Sequence, residues 1–265
     1  MLVFIIPVKS QRVSGSWNQF SNLFERTLKS ISNQTSSNFK IIVACHEKPE
    51  TKFEHPSIEY IHVDFDPPSL ATAEKSKHDG LKEEDKSKKI LAGINHSEHY
   101  NPDYLMVVDA DDCISNKIVE FVDKHKGSNT NGWYFKKGYV YREGDRFISL
   151  NKENFNTLCG TCIIIKPGLI KKIFKNVPHL LFVHKTTSFE GNIELLRFPF
   201  PGAIYSMANG ENHFMSNDKI KSLNSGSIFS LKTIKGIFRK LGKYRIKPLS
   251  RNLKSEFGIY ELKNS

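Results

Sequence analysis

The 265-residue chain is expected to fold as an α/β body, a mostly parallel, Rossmann-like sheet flanked by helices, followed by a basic helical tail. Three observations predict this. Strand-type and helix-type segments alternate through most of the sequence, as crossovers between parallel strands require. The first residues, Leu2-Val-Phe-Ile-Ile-Pro-Val8, form a short apolar run suited to a buried strand. A second run, Tyr104-Leu-Met-Val-Val108, ends abruptly in Asp109, Asp111 and Asp112, three carboxylates within four positions.

Taken in order, strands are expected over 2–8, 40–45, 58–64 and 104–108. Between the first two, Trp17, Phe20, Leu23, Phe24, Leu28 and Ile31 fall on one helical face, so that helix packs on the sheet. The polar stretch from Pro67 to Gly80, with its Pro67-Pro68 pair, suggests a surface loop. A helix over about 82–97 is closed by Asn101-Pro102. Another is expected near 116–125. Gly132-Trp-Tyr-Phe and Gly138-Tyr-Val-Tyr look like a hairpin joined through Lys136-Lys137. Thr161-Cys-Ile-Ile-Ile165 then leads into Pro167 at a helix start, and Ala203-Ile-Tyr-Ser-Met207 supplies a further strand.

Composition narrows the function classes. With 38% apolar and 11% aromatic residues the chain can bury a full core, which excludes a disordered protein. No apolar run approaches the ~18 residues of a membrane span. The N-terminus lacks the basic leader and small-residue cleavage site of a signal peptide. Four cysteines, Cys45, Cys113, Cys159 and Cys162, suggest no disulfide framework, and a reducing cytoplasm fits them.

The net charge of +11 is uneven: residues 218–265 carry twelve Lys or Arg against three acids, leaving the body near neutral. There Ile228, Phe229, Leu231, Ile234, Ile237, Phe238 and Leu241 recur at helical spacing among Lys232, Lys235, Arg239, Lys240 and Lys243. That pattern fits a helix lying on an anionic membrane surface, at the inner face of the membrane, or equally a helix packed on the body. No nucleic-acid-binding motif accompanies the charge, so no nucleic acid is expected.

Carboxylates as close as Asp109, Asp111 and Asp112 repel one another, so a cation is expected beside them. In open α/β sheets, ligands bind beyond the carboxyl ends of strands. The alternative is that these acids only end a strand and start the next helix, with Ser115 as cap.

Together, Phe4-Ile-Ile-Pro-Val-Lys9, the amphipathic helix, Lys40-Ile-Ile-Val-Ala-Cys-His46 and Val107-Val-Asp-Ala-Asp-Asp112 resemble a GT-A glycosyltransferase of the family-2-like, DxD-containing type. The resemblance implies a nucleotide-sugar donor, UDP- or GDP-linked, with its diphosphate held by Mn2+ or Mg2+. It divides the chain into a donor-binding half (1–125), an acceptor-binding half (126–217) and the tail (218–265). It implies Asp111 as metal ligand, Asp109 at the ribose or metal shell, and Asp112 supporting the shell or the acceptor side. Pro7, Val8, Lys9, His46 and Ala110 would line the nucleotide pocket.

Lys86 and Lys89, three apart on the second helix, are candidates for the donor's phosphates, or else a solvated face. His213, after the 203–207 strand, is placed like a further metal ligand, and His184 competes for that role. Glu190, with Glu194 behind it, is the nearest candidate for an acceptor-activating base, and whether the reaction inverts or retains is left open. Cys159-Gly-Thr-Cys162 reads as packing around the acceptor pocket, because a strand and not a helix follows it and no second C-x-x-C completes a zinc site. The expected acceptor is a glycan or lipid-linked sugar, with surface polysaccharide synthesis as the setting by analogy. Two other readings stand beside it. A sugar nucleotidyltransferase would need a glycine-rich loop after the first strand, where Val8–Gly15 has one late glycine. A non-catalytic adaptor would bind membrane or nucleic acid through the tail.

Overall fold

The computed structural model describes residues 1–69, 71, 77–127, 130–170, 184–185, 187–189, 191, 193–209 and 244–262. Four strands, β1 (Leu2–Pro7), β2 (Phe39–Cys45), β3 (Ile58–His62) and β4 (Tyr104–Val107), lie parallel in the spatial order β4-β1-β2-β3. Every residue of β1 and β4 is buried. That explains their unbroken apolar runs: a parallel sheet is covered on both faces, so side chains pointing either way meet protein.

Helix α1 (Trp17–Ser32) covers this sheet. Ser16 starts it, its hydroxyl accepting from the Gln19 N–H at 3.3 Å. Phe20, Leu23, Phe24, Leu28 and Ile31 are buried as the spacing predicts. Each contributes roughly 1.5–3 kcal/mol by leaving water. Helix α2 (His78–Ser97) begins four residues before the expected start at 82. It lies close on β1: a Cβ at Gly93 would come within 2.5 Å of Ile5 Cγ2, so only glycine permits this approach.

After β4, the short strand β5 (Cys113–Ile114) precedes α3 (Ile118–His125). Lys117 occupies the cap position without a side-chain bond, and Ser115 directs its hydroxyl to Glu256 at 2.8 Å. Ser115 Oγ also accepts from the Lys117 N–H at 3.4 Å, so it helps at the helix start from two residues before the cap position. The chain continues through β6 (Gly132–Tyr134), β7 (Gly138–Arg142), β8 (Phe147–Asn151), β9 (Ile163–Ile165) and the short α4 (Pro167–Ile170). Then follow β10 (Ser188–Phe189), β11 (Ile193–Glu194), β12 (Leu196–Arg197) and β13 (Ala203–Met207). The last described elements are β14 (Tyr244–Pro248) and α5 (Arg251–Phe257).

The large sheet extends beyond β4 as β9, β6 and β12, with β9 antiparallel to both of its neighbours. A second sheet has the order β14-β8-β7-β13-β5, and β10 pairs with β11. The expected hairpin of 132–135 with 138–141 does not form. β6 joins the large sheet and β7 the second, and the chain crosses between them at buried Phe135. Aromatic packing separates them: Trp133 lies against Tyr104 and Phe121, whereas Tyr139 meets Phe257 edge-on at 5.5 Å.

A buried cation ties α1 to the second sheet. Arg26 of α1 is fully buried and donates to both carboxylate oxygens of Glu143, to the Tyr260 carbonyl at 3.1 Å and to Ser206 Oγ at 3.2 Å. Of the expected basic tail, 218–243 lies outside the described residues. Residues 244–262 fold onto the body: β14 pairs with β8, and the Phe257 carbonyl accepts from Ser30 Oγ at 2.7 Å. Among the described residues, no helix is long and apolar enough to cross a membrane. All four cysteines are free and buried.

Candidate active site at the carboxyl ends of β1 and β4

The crossover direction reverses at β1, which has β2 on one side and β4 on the other. Such a reversal opens a crevice beyond the strand ends, where open α/β sheets bind their ligands. Val8 and Lys9 leave β1 at this edge, the Val8 N–H donating to the Ala44 carbonyl at 2.9 Å. Asp109, Ala110, Asp111 and Asp112 follow β4 at the same edge.

The three carboxylates have different surroundings. Asp109 donates its N–H to Thr161 Oγ1 at 2.9 Å, and its Oδ1 faces the Lys86 ammonium at 2.6 Å in an ion pair without hydrogen-bond alignment. Asp111 Oδ2 accepts from Asn209 Nδ2 at 2.8 Å. Asp112 is fully buried. Its Oδ2 accepts from Thr161 Oγ1 at 2.6 Å and from Cys159 Sγ at 3.1 Å, and its Oδ1 from the Ser206 N–H at 3.3 Å.

Burial, then the Asp109 charge, raises the Asp111 carboxyl above the usual carboxylate range. Burial, Asp111 and Asp109 push Asp112 up further. Burial opposes the Lys86 charge, but Asp109 beside it and the other two acids raise its pKa above that of an ordinary lysine, so it stays charged. Asp109, Asp111 and Lys86 thus lie on the solvent-facing side of the cluster, with Asp112 sealed beneath them.

The Cys159-Gly-Thr-Cys162 segment forms the wall of this site. A Cβ at Gly160 would stand 3.1 Å from Asp109 Oδ2 and 3.6 Å from Lys86 Nζ, so the glycine leaves room around that pair. Both thiols are pushed well up by burial and the adjacent aspartates, which keeps them protonated and unreactive. Thr161, Gly160 and Asn209 escaped the sequence reading. Asn209 follows Ala208, whose φ of 56° is left-handed without a glycine. Such a conformation persists only where the surroundings enforce it.

The other expected residues are placed as follows. Lys9 Nζ lies 4.8 Å from the Phe20 ring centroid. The Ala110 carbonyl accepts from Thr27 Oγ1 at 3.1 Å. Lys89 does not share the Lys86 position: it is fully buried, 2.7 Å from Asp85 Oδ2, so it offers no surface to a donor. Asp85 Oδ1 lies 2.9 Å from His46 Nε2, giving a buried His46–Asp85–Lys89 cluster behind the end of β2. His184 donates Nδ1–H to the Asn156 carbonyl at 2.6 Å, and burial lowers its pKa. A neutral ring so oriented leaves Nε2 as the lone-pair nitrogen. His213 and Glu190 lie outside the described residues, and Glu194 stands exposed on β11.

No protein-family model matches the sequence, and no curated protein matches it. Among solved structures, the chain is similar to S. aureus TarS 1–349 in complex with UDP-GlcNAc, at 13% identity and a TM-score of 0.48 over 83% of this chain. It spans 63% of that TarS chain. It is also similar to the Francisella tularensis 2-C-methyl-D-erythritol 4-phosphate cytidylyltransferase (IspD), at 13% identity and a TM-score of 0.41, covering 84% of this chain and 98% of that one. The bifunctional IspDF of Campylobacter jejuni is similar over 83% of this chain and 53% of that one, at 14% identity and a TM-score of 0.33. The topology defines a Rossmann-like α/β protein with an acidic crevice at the reversal of its strand order. Likenesses this distant leave the function to the chemistry of that crevice.

Proposed function

We propose that the chain is a metal-dependent glycosyltransferase of GT-A type, moving a sugar from a nucleotide-sugar donor to a glycan or lipid-linked acceptor. One observation carries this reading: Asp109 and Asp111 face the switch-point crevice beside Lys86, while Asp112 is sealed beneath them. The residues fit a hard divalent cation. Asp109 Oδ1 is paired with Lys86, but its Oδ2 faces the open wall at Gly160, and the Asp111 carboxylate adjoins it. Among the described residues, Asp109, Asp111 and Asp112 do not gather three ligand atoms within 4.8 Å of one another. Mn2+ or Mg2+ would therefore rest on Asp111 and Asp109, and diphosphate oxygens would complete its shell. Bound there, the cation would stabilise negative charge on the leaving diphosphate.

Lys86 adds a second fixed positive charge at the same place, positioned by its pairing with Asp109. Gly160 keeps the wall low enough for phosphate oxygens to approach that pair. Pro7, Val8 and Lys9 at the end of β1 contribute the nucleotide side, and His184 is the described imidazole nearest to a ligand role. Asp112 cannot deprotonate an acceptor, because it has no exposed surface and its oxygens are engaged within the protein. The basic stretch 218–243 would hold the enzyme to the anionic inner face of a membrane, near a lipid-linked acceptor.

Nucleotidyl transfer is disfavoured by the loop after β1. It forms a short 3-10 turn, Gln11–Val13, started by Ser10 and tied down by Glu47, which accepts from Ser10 Oγ and the Gln11 N–H, each at 3.1 Å. Titration calorimetry with UDP and GDP, with and without Mn2+, tests the proposal. Mn2+-dependent binding of one nucleotide, lost in Asp111→Ala, is expected. Metal-independent binding that survives Asp111→Ala unchanged would sink it.

A further inference from the structure

We infer a second metal site, for a transition cation such as Zn2+, at the opposite end of the sheet from the acidic crevice. Its ligands are Glu59, His96 and His99. Glu59 lies near the start of β3, whereas the crevice opens at the carboxyl ends of the parallel strands. His96 occupies the last turn of α2, ten residues beyond Lys86, or about 15 Å along the helix axis. His99 follows in the short 3-10 turn Glu98–Tyr100, three residues on and so on the same side of the chain as His96.

One ligand atom from each residue lies within 4.8 Å of the other two. His96 Nε2 is already 2.7 Å from Glu59 Oε1, and the two imidazoles stand nearly perpendicular, 88° apart, with centroids at 4.5 Å. Two imidazoles and one carboxylate are a donor set suited to Zn2+, which binds such atoms at roughly 2.0–2.2 Å in a tetrahedron. A tetrahedron of that size spaces its corners at about 3.3 Å, so side-chain rotations alone bring these atoms to it.

The site is supported from behind. The Tyr100 hydroxyl donates to Glu59 Oε2, which orients the carboxylate and leaves Oε1 toward the histidines. Tyr100 and His96 engage the two oxygens of the Glu59 carboxylate from different sides, which fixes its orientation. Asn101, left-handed at φ 46°, ends the turn, and its N–H donates to the Glu98 carbonyl at 3.0 Å. Ser97 anchors the helix end with Oγ donating to the Ile94 carbonyl at 2.6 Å. The pair remains reachable from solvent, with His96 31% and Glu59 37% exposed, which leaves the fourth corner to water. Binding replaces the hydrogen bond between His96 Nε2 and Glu59 Oε1, the imidazole carrying its hydrogen on Nδ1 instead, and ties the end of α2 to edge strand β3.

The test uses the full chain stripped with chelator and titrated with Zn2+ against a chromophoric competitor. Co2+ serves as the spectroscopic probe, because tetrahedral coordination gives intense visible bands. Wild type is expected to hold one Zn2+ more than His96→Ala or His99→Ala, or to bind it at least about tenfold more tightly. Asp111→Ala, which removes the crevice ligand, is expected to leave that difference intact, so failure here and failure of the donor-site reading are separable. The Co2+ bands should vanish in both histidine variants. Identical Zn2+ stoichiometry and affinity in wild type and His99→Ala overturn the proposal. His99 is exposed, so that variant decides the matter even where His96→Ala fails to fold.

Discussion

Thr161→Val isolates the hydroxyl that links the two ends of the acidic turn, Asp109 and Asp112. Valine keeps the shape of threonine, so the variant opens no cavity. It removes two bonds from a site with no exposure: acceptance from the Asp109 N–H at 2.9 Å and donation to Asp112 Oδ2 at 2.6 Å. An orphaned buried N–H costs about 1–3 kcal/mol, and a bond to a charged group contributes about 1.5–3 kcal/mol. Asp112 keeps Cys159 and the Ser206 N–H as donors and is already pushed toward its neutral form, which places the loss at the lower end, about 2–4 kcal/mol. At roughly 2–4 °C per kcal/mol for a domain of this size, the melting temperature should fall by roughly 4–16 °C. Urea denaturation at unchanged m-value reads the energy, and Mn2+-dependent nucleotide binding should weaken in parallel, because Asp109 is positioned through that N–H. Thr161→Ser, which retains the hydroxyl, should recover most of both losses. Stability within about 0.5 kcal/mol of wild type, the range of an ordinary surface change, would refute the bracing role of Thr161.

Two further outcomes are expected. Arg26→Met leaves Glu143 without its buried partner and should destabilise by about 3–5 kcal/mol in chemical denaturation; a double-mutant cycle with Glu143→Gln that shows no coupling contradicts the bridge. Glu25 is held at about 2 by Lys29, with the Lys52 N–H and Thr51 also donating to it. Its folded pKa is depressed, so its stabilisation is complete above the unfolded value near 4.5 and fades as pH falls toward 2. After allowance for solvent screening, Glu25→Gln should lose about 1 kcal/mol at pH 7 and progressively less below pH 4.5. A deficit that does not change between pH 7 and pH 3 counts against this assignment.

Sequence patterning was most informative where periodicity and burial coincide. The apolar run from Tyr104 made the position of Asp109–Asp112 plain, and the helical face of α1 and the strand Ala203–Met207 were equally legible. What escaped is non-local. Gly132–Tyr134 and Gly138–Arg142 have the local look of a hairpin, and only their aromatic partners, Tyr104 and Phe121 for one and Phe257 for the other, assign them to different sheets. Lys86 and Lys89 share one helix face, yet Asp85 and His46 draw one of them inward. Thr161 and Asn209 reach the acids across 52 and 98 residues, a separation over which residue spacing carries no signal.

The return of residues 244–262 to the body has a kinetic consequence. Phe257 meets Tyr139 edge-on and joins the cluster of Cys113, Tyr141, Ile148 and Ile204, and its carbonyl meets Ser30 across 227 positions. Contacts of such sequence separation form late, because a long loop must close before they yield any stabilisation. During synthesis the large parallel sheet can assemble while β8 still presents an unpaired edge and Phe257 has yet to cover Tyr139. Such edges pair readily with other chains. The β8 edge and the Tyr139 face are therefore expected to stay open to association until residues 244–262 dock.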